Sequence, residues 1–269
     1  MTNAQRQMNG LSLHYYTVPS GNWARKDSAT QFTEEQWFGT MRQALRMEEL
    51  INQHSALMDK QDSSKRIGLI VDEWGTWHDV EPGTKPGFLY QQNTLRDALV
   101  AGSTLNIFNN HADRVKMANI AQMVNVLQAM VLTDKAKMLL TPTYHVFEMY
   151  AVHHDAKLLP TELQSGTYES GSEKIPQLNI SASRDGEGKI HVTLCNLHPR
   201  LPTVVACELQ GAKAKNISGR ILTAADMTAH NTFEQPETVK VAAFSDAKTS
   251  GDGFGATLPA KSVVVLELE

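Results

Sequence analysis

The chain has 269 residues, 41% of them apolar and 20% charged, with a net charge of −4. This is an ordinary globular composition, long enough for two domains or one large one, and with its mild acidity nothing electrostatic points to nucleic acid or anionic membrane. No run of eighteen apolar residues is present, so no membrane-spanning helix is expected. Cys195 and Cys207 could lie on neighbouring strands, but they follow no metal-ligand spacing and make no disulfide framework. Residues Met1 to Met8 lack an apolar signal core, which fits a cytoplasmic chain and equally one that starts mid-protein.

Leu11-Ser-Leu-His-Tyr-Tyr16 reads as a short strand that opens into a loop at Val18-Pro-Ser-Gly-Asn22. Side chains alternate along a strand, so His14 and Tyr16 share one face. They would point to the same mouth as the strand near residue 70 if the two are parallel. The alternative is a half-buried histidine and a core tyrosine with a bonded hydroxyl. Thr33-Glu-Glu-Gln36 is a capping box, and behind it Trp37, Met41, Ala44, Leu45, Leu50, Ile51, Leu57 and Met58 recur at helical spacing. A long amphipathic helix to about Met58 is predicted, its Met and Trp stripe forming core.

Polar residues Asp59 to Lys65 lead into Arg66-Ile-Gly-Leu-Ile-Val-Asp-Glu-Trp-Gly-Thr-Trp77. Ile67 to Val71 reads as a strand buried on both faces, as in a parallel sheet. Strand, helix, strand at this length is a βαβ unit. The apolar run ends in Asp72 and Glu73, with Trp74 and Trp77 following. Carboxylates at the end of a buried strand are costly unless they have a task, and in an α/β barrel that end is the active-site face. Carboxylates flanked by indoles suit sugar chemistry, because apolar sugar faces stack on aromatic rings. A turn cap or an ion pair with Lys or Arg is the competing explanation, and the spacing alone leaves both open.

The loop from His78 to Gly87 is assigned to the substrate rim. His78 and Asp79 are two ligands without a third, so no metal site is assigned. A helix is predicted from about Leu89 through Ala101 to Phe108, then a short last strand over Val115–Val124 that leads into Gln122 and Asn125. Thr143 to Val152 reads as helix, with His153-His154 suited to its C-terminal dipole. Composition changes near Leu159-Pro160. Beyond it, Leu178–Ser183, Ile190–Asn196, Thr203–Leu209, Ser218–Leu222, Val239–Phe244 and Ser262–Leu268 alternate like strands separated by Gly, Pro and Asp turns. This predicts a partial α/β unit over 1–158 and an antiparallel β-sandwich over 159–269. The second reads as a packing domain, with a sugar-binding module disfavoured by its few aromatics.

Three blocks together resemble a known family: Leu11 to Tyr16; Val71-Asp-Glu-Trp-Gly75 with Trp77; and Asn109 to Lys116 through Ala121-Gln-Met-Val-Asn125. The tail Leu258 to Leu268 resembles the same family's last strand. That family is the α-L-arabinofuranosidases of glycoside hydrolase family 51, and the chain resembles its C-terminal half. The resemblance implies the end of a (β/α)8 TIM barrel, about strands 6–8, followed by a jelly-roll-like sandwich. It implies Glu73 as catalytic nucleophile and His14, Tyr16, Trp77 and Gln122 as substrate-binding residues, with Asp72 a structural or pKa-setting neighbour. It implies a retaining hydrolase that releases terminal α-L-arabinofuranosyl residues from oligosaccharides or polysaccharides, with no cofactor and no metal. A homo-oligomer is implied for the full-length form.

One part of the family pattern is missing. Its acid/base glutamate follows a Gly-Asn pair upstream of the His-x-Tyr strand, whereas Gly21-Asn22 lies downstream of His14 and precedes Trp23. The expectation is therefore a fragment that carries the nucleophile and is inactive alone. Competing expectations are one half of a split enzyme that needs a complementary N-terminal barrel half, a non-catalytic sugar-binding or interaction fragment, and another glycosidase of the same barrel clan.

Overall fold

The structure is a computed structural model and describes residues 3–269. Its first part is a run of parallel strands and helices: β1 (Gly10–Thr17), α1 (Glu34–Asp59), β2 (Gly68–Thr76), α2 (Leu95–Asn110), β3 (Val115–Ile120), a hairpin of β4 (Val131–Asp134) and β5 (Lys137–Leu140), and α3 (Pro142–Tyr150). β1, β2 and β3 form one sheet in that order, with β1 and β3 both parallel to β2. All three C-terminal ends therefore lie on one side.

Local chemistry sets the boundaries. Thr33 caps α1, its side chain accepting from Gln36 N–H while the Gln36 side chain accepts from Thr33 N–H. Thr94 and Asp97 make the same reciprocal cap on α2. The expected helix start at Leu89 is corrected to Leu95, because Leu89 adopts φ 54° at the end of a 3₁₀ turn over Pro86–Phe88. The strand expected over Val115–Val124 stops at Ile120. Buried Arg114, next to β3, holds the entry to β2: Nη1 donates to Asp62 Oδ2 at 3.0 Å and to Ile67 O at 2.9 Å, and Nη2 pairs with Asp59.

β6 (Lys157–Leu159) opens the second part, so the expected boundary between residues 158 and 159 falls inside a strand. Next come a hairpin of β7 (Thr167–Ser170) and β8 (Glu173–Pro176), then β9 (Leu178–Arg184), β10 (Ile190–Asn196), β11 (Thr203–Glu208) and β12 (Ile217–Leu222). β13 (Val241–Ala243), β14 (Ala247–Ser250), β15 (Gly253–Leu258) and β16 (Ser262–Leu268) complete it. One sheet has the order β13-β12-β16-β10-β9-β6 and the other β11-β15-β14, all antiparallel, as a β-sandwich requires. Leu194, Val264, Leu266, Phe254 and Leu258 fill the space between the sheets. The short strands β6, β7, β8 and β14 carry too few alternating residues to read from the sequence, and the strand expected over Val239–Phe244 is shorter, as β13.

The outer face of the larger sheet is covered by the helices. Trp37, Met41 and Ile51 of α1, Leu69 and Val71 of β2 and Leu99 of α2 belong to a core that continues into Cys195, Leu197, Val263 and Val265. Gly102 allows this approach, since a Cβ there would lie 2.8 Å from Cys195 Sγ. Cys195 and Cys207 are free and sit in different sheets, not on neighbouring strands. His153 departs from its expected role at a helix end. Its Nδ1 lies 2.7 Å from Ser183 Oγ and its Nε2 3.2 Å from Thr193 Oγ1. Burial, with the His191 and His154 charges, pushes its pKa down to about 4, so the ring is neutral and joins α3 to the sandwich.

Candidate active site at the carboxyl ends of three parallel strands

The apolar alternation of β1 and β2 decides what faces the open side of the sheet. Leu11, Leu13 and Tyr15 pack toward the helices, so Ser12, His14 and Tyr16 face the other way. On β2, Leu69, Val71 and Trp74 pack toward the helices. Strict alternation would then send Glu73 into the same layer as Val71. A register irregularity prevents this: Ser12 pairs with Ile70 but His14 with Glu73, an extra residue on β2. Such a bulge re-aims side chains, and Asp72 and Glu73 both turn toward Ser12, His14 and Tyr16.

The contacts are specific. Tyr16 Oη donates to Glu73 Oε1 at 2.6 Å. His14 Nδ1 lies 3.4 Å from Glu73 Oε2, and its Nε2 lies 3.2 Å from Asp72 Oδ1. Ser12 Oγ donates to Asp72 Oδ1 at 2.7 Å. Burial, then the hydrogen bond to Glu73 and its charge, pushes the Tyr16 hydroxyl well above its ordinary range, so it stays a donor. The Ser12 hydrogen bond, aided by His14, holds the Asp72 carboxyl below its ordinary range.

An aromatic wall stands beside the carboxylates. Trp77 meets Tyr16 edge to face at 4.8 Å, and Trp23 meets Trp77 at 5.5 Å and Tyr16 at 6.3 Å. Trp23, 52% exposed, comes from the loop after β1 and was not picked out from the sequence as a site residue. A loop tryptophan just beyond the end of a strand already holding His14 and Tyr16 was the available signal. Gln122 lies on the same side: Ala121 N–H donates to Trp74 O at 2.9 Å, and Gln122 N–H to Leu127 O at 2.7 Å. The Gln122 side chain is exposed. Among the described residues, no group of three or more His, Cys, Asp or Glu side chains could hold a metal ion.

Gly75 sits between Glu73 and Trp77 with φ 144°, a conformation nearly confined to glycine. A Cβ there would be 2.7 Å from Gln128 Cγ. Gln128 is one arm of a buried polar group beneath the wall. Its Nε2 donates to Asp97 Oδ1 at 2.9 Å, and His78 Nε2 lies 2.8 Å from the same oxygen. Burial, reinforced by Arg96, pushes His78 below its ordinary range, so its ring is neutral, with Nε2–H donating to Asp97. Burial alone would raise the Asp97 carboxyl, but the hydrogen bond from His78, the Arg96 charge and the Thr94 amide hold it below its ordinary range. His78 is therefore a fixed buried residue, not part of a metal pair with Asp79.

Residues 72–262 match a family model described as the α-L-arabinofuranosidase C-terminal domain. Over its full length the chain is 47% identical to an intracellular exo-α-L-arabinofuranosidase of Bacteroides ovatus, of which it covers 52%. The chain belongs to the α-L-arabinofuranosidases of glycoside hydrolase family 51. The family 51 arabinofuranosidase structure from Xanthomonas axonopodis pv. citri superposes with a TM-score of 0.97 at 48% identity, over 99% of this chain and 54% of that one. A family 51 α-L-arabinofuranosidase from Bifidobacterium longum shares the fold, with a TM-score of 0.83 at 24% identity over 100% of this chain and 54% of that one. The chain spans about half the length of the curated family 51 relatives it matches, and the match is to their C-terminal half.

Proposed function

We propose that the chain is the nucleophile-bearing half of a retaining exo-α-L-arabinofuranosidase, with Glu73 as nucleophile. The observation that carries this reading is the Glu73 carboxylate at the carboxyl end of a parallel strand, one oxygen bonded to Tyr16 and the other facing His14. In the proposed reaction Glu73 attacks the anomeric carbon of a terminal arabinofuranosyl unit, and the bond to the leaving oxygen breaks. A glycosyl ester forms, and water then cleaves it with a second carboxyl group acting as acid and then base. Tyr16 and His14 hold Glu73 in line, and Trp77 with Trp23 walls the sugar. Gln122 is assigned to a sugar hydroxyl, and no metal or cofactor takes part.

Asp72 is a poor choice for the second carboxyl. The acid needs a raised pKa, which a desolvated site supplies, whereas Ser12 and His14 favour the Asp72 anion. The acid therefore belongs to a complementary N-terminal barrel half. Among the described residues β1 and β3 are each paired on one side only, and these open edges support such a partner. The division of labour is a partial barrel that ends before β6 and reacts, and a sandwich from β6 onward that supports it. The Bacteroides ovatus relative is named intracellular, and the same setting is proposed here.

The test is hydrolysis of an aryl α-L-arabinofuranoside with a good leaving group, which lessens the need for the acid. The purified chain is expected to turn it over slowly, Glu73→Ala to abolish this, and a complementary barrel half to restore fast turnover. Full-speed turnover by the chain alone would overturn the missing acid, and turnover surviving in Glu73→Ala would overturn the nucleophile.

A further inference from the structure

We infer that Asp97, His78 and Arg96 form a buried clamp that positions the three loops of the site, making them positioning residues for the reaction proposed above, on which this inference rests. All three are fully buried, and each reaches a different loop. His78 follows Trp77 directly, and its backbone N–H donates to Gln91 Oε1 at 2.8 Å, which ties the two ends of the loop after β2. Arg96 Nη2 donates to Ser28 O at 3.0 Å and Ala29 O at 3.3 Å, and the guanidinium lies 3.6 Å over the Phe32 ring. These contacts hold the loop that carries Trp23. Gln128, bonded to Asp97, belongs to the loop that starts at Gln122, and it packs where Gly75 has no side chain.

Asp97 also accepts from Thr94 N–H at 2.7 Å, so the clamp is fixed to the N-terminus of α2. Arg96 Nη2 also lies 3.2 Å from His78 Nδ1, which links it to the His78–Asp97 pair. A buried charged cluster is a weak way to stabilise a fold compared with apolar packing. Its placement instead accounts for three loops held in one geometry around Glu73, as a rigid supporting shell does.

The test uses the whole chain labelled with 5-fluorotryptophan, read by ¹⁹F NMR. Its 4 tryptophans give an internal comparison: Trp77 and Trp23 report the wall, and Trp37, buried in the helical core, reports the fold. Asp97→Asn is expected to shift and broaden the Trp77 and Trp23 lines while Trp37 stays in place. Gln128→Met keeps the packing on Gly75, removes one arm, and is expected to move Trp77 by less; it decides the matter if Asp97→Asn does not fold. Unmoved Trp77 and Trp23 lines in a folded variant, or Trp37 moving as far as they do, would overturn the clamp. Titration of wild type with L-arabinose separates the two readings: silence there with a persisting Asp97→Asn shift counts against the sugar site and not against the clamp.

Discussion

Replacing Gly75 with alanine perturbs the strand between the proposed nucleophile and the tryptophan wall. Two costs add at this position. The backbone sits at φ 144°, where an L side chain is strained by about 1–3 kcal/mol. The new methyl would also stand 2.7 Å from Gln128 Cγ, 3.3 Å from Gln128 Cβ and 3.6 Å from Ala121 O. Gln128 has no free space to retreat into, being fully buried, at φ 52° and bonded to Asp97. Overpacking of this kind costs about 1–3 kcal/mol, so the sum is about 2–6 kcal/mol. Urea unfolding of the chain, extrapolated linearly to water, measures it. Gly83→Ala is the control: Gly83 also has a positive φ, 82°, but nothing lies within 4 Å of its Cβ position, so only the backbone cost of about 1 kcal/mol is expected. Equal losses in the two variants, or a loss under about 1 kcal/mol at Gly75, would refute the reasoning.

Other expectations follow from single contacts. Tyr16→Phe removes the 2.6 Å hydrogen bond to Glu73, worth about 1.5–3 kcal/mol for a charged partner. Glu73-dependent turnover should fall about ten- to hundredfold, and a change of less than twofold would count against the role. In Glu73→Gln the neighbouring charge is gone, so Tyr16 should ionise at lower pH than in the native chain by ultraviolet absorbance. Trp23→Ala should raise KM several-fold with kcat nearly constant, whereas a loss confined to kcat would speak against a binding wall. His153 is neutral in the folded chain with a pKa of about 4 against an ordinary 6.5. The unfolded chain therefore takes up the proton first as pH falls, and stability is lost between about pH 6.5 and 4, by up to about 3 kcal/mol. His153→Gln should flatten that limb of the pH–stability curve, and an unchanged slope would remove His153 as its cause.

Much of the strand-helix-strand part could be read from side-chain pattern, because its signals are local. The Thr33 to Gln36 box and the stripe from Trp37 to Met58 set α1 within a residue at each end. The Ile67 to Val71 run found β2, but not its continuation to Thr76, because alternation fails at the bulge that turns Asp72 and Glu73 to one side. That irregularity depends on pairing with β1, which no single stretch reveals. Period-two alternation put His14 and Tyr16 on one face, the family resemblance named them as site residues, and the structure brings both to Glu73. Trp23 and the Asp97 clamp were not found, since their meaning lies in contacts between loops far apart in the chain. No local pattern sets Arg96 and Asp97 apart from ordinary polar residues of a helix, and only burial does so. In the sandwich, Ile190–Asn196 and Ser262–Leu268 were placed to the residue because their alternation is long, while the hairpin of β7 and β8 is too short to show any.

The central claim is that Glu73 forms the covalent bond to the sugar. It is tested most directly by trapping with a 2-fluoro arabinofuranoside bearing a dinitrophenyl leaving group, followed by intact mass and peptide mapping. The fluorine slows breakdown of the ester, and the leaving group departs without the acid. The account predicts a single adduct on the peptide that contains Glu73, lost in Glu73→Gln. An adduct on Asp72 or another carboxylate, or an unlabelled chain even when complemented by the rest of the barrel, would contradict it.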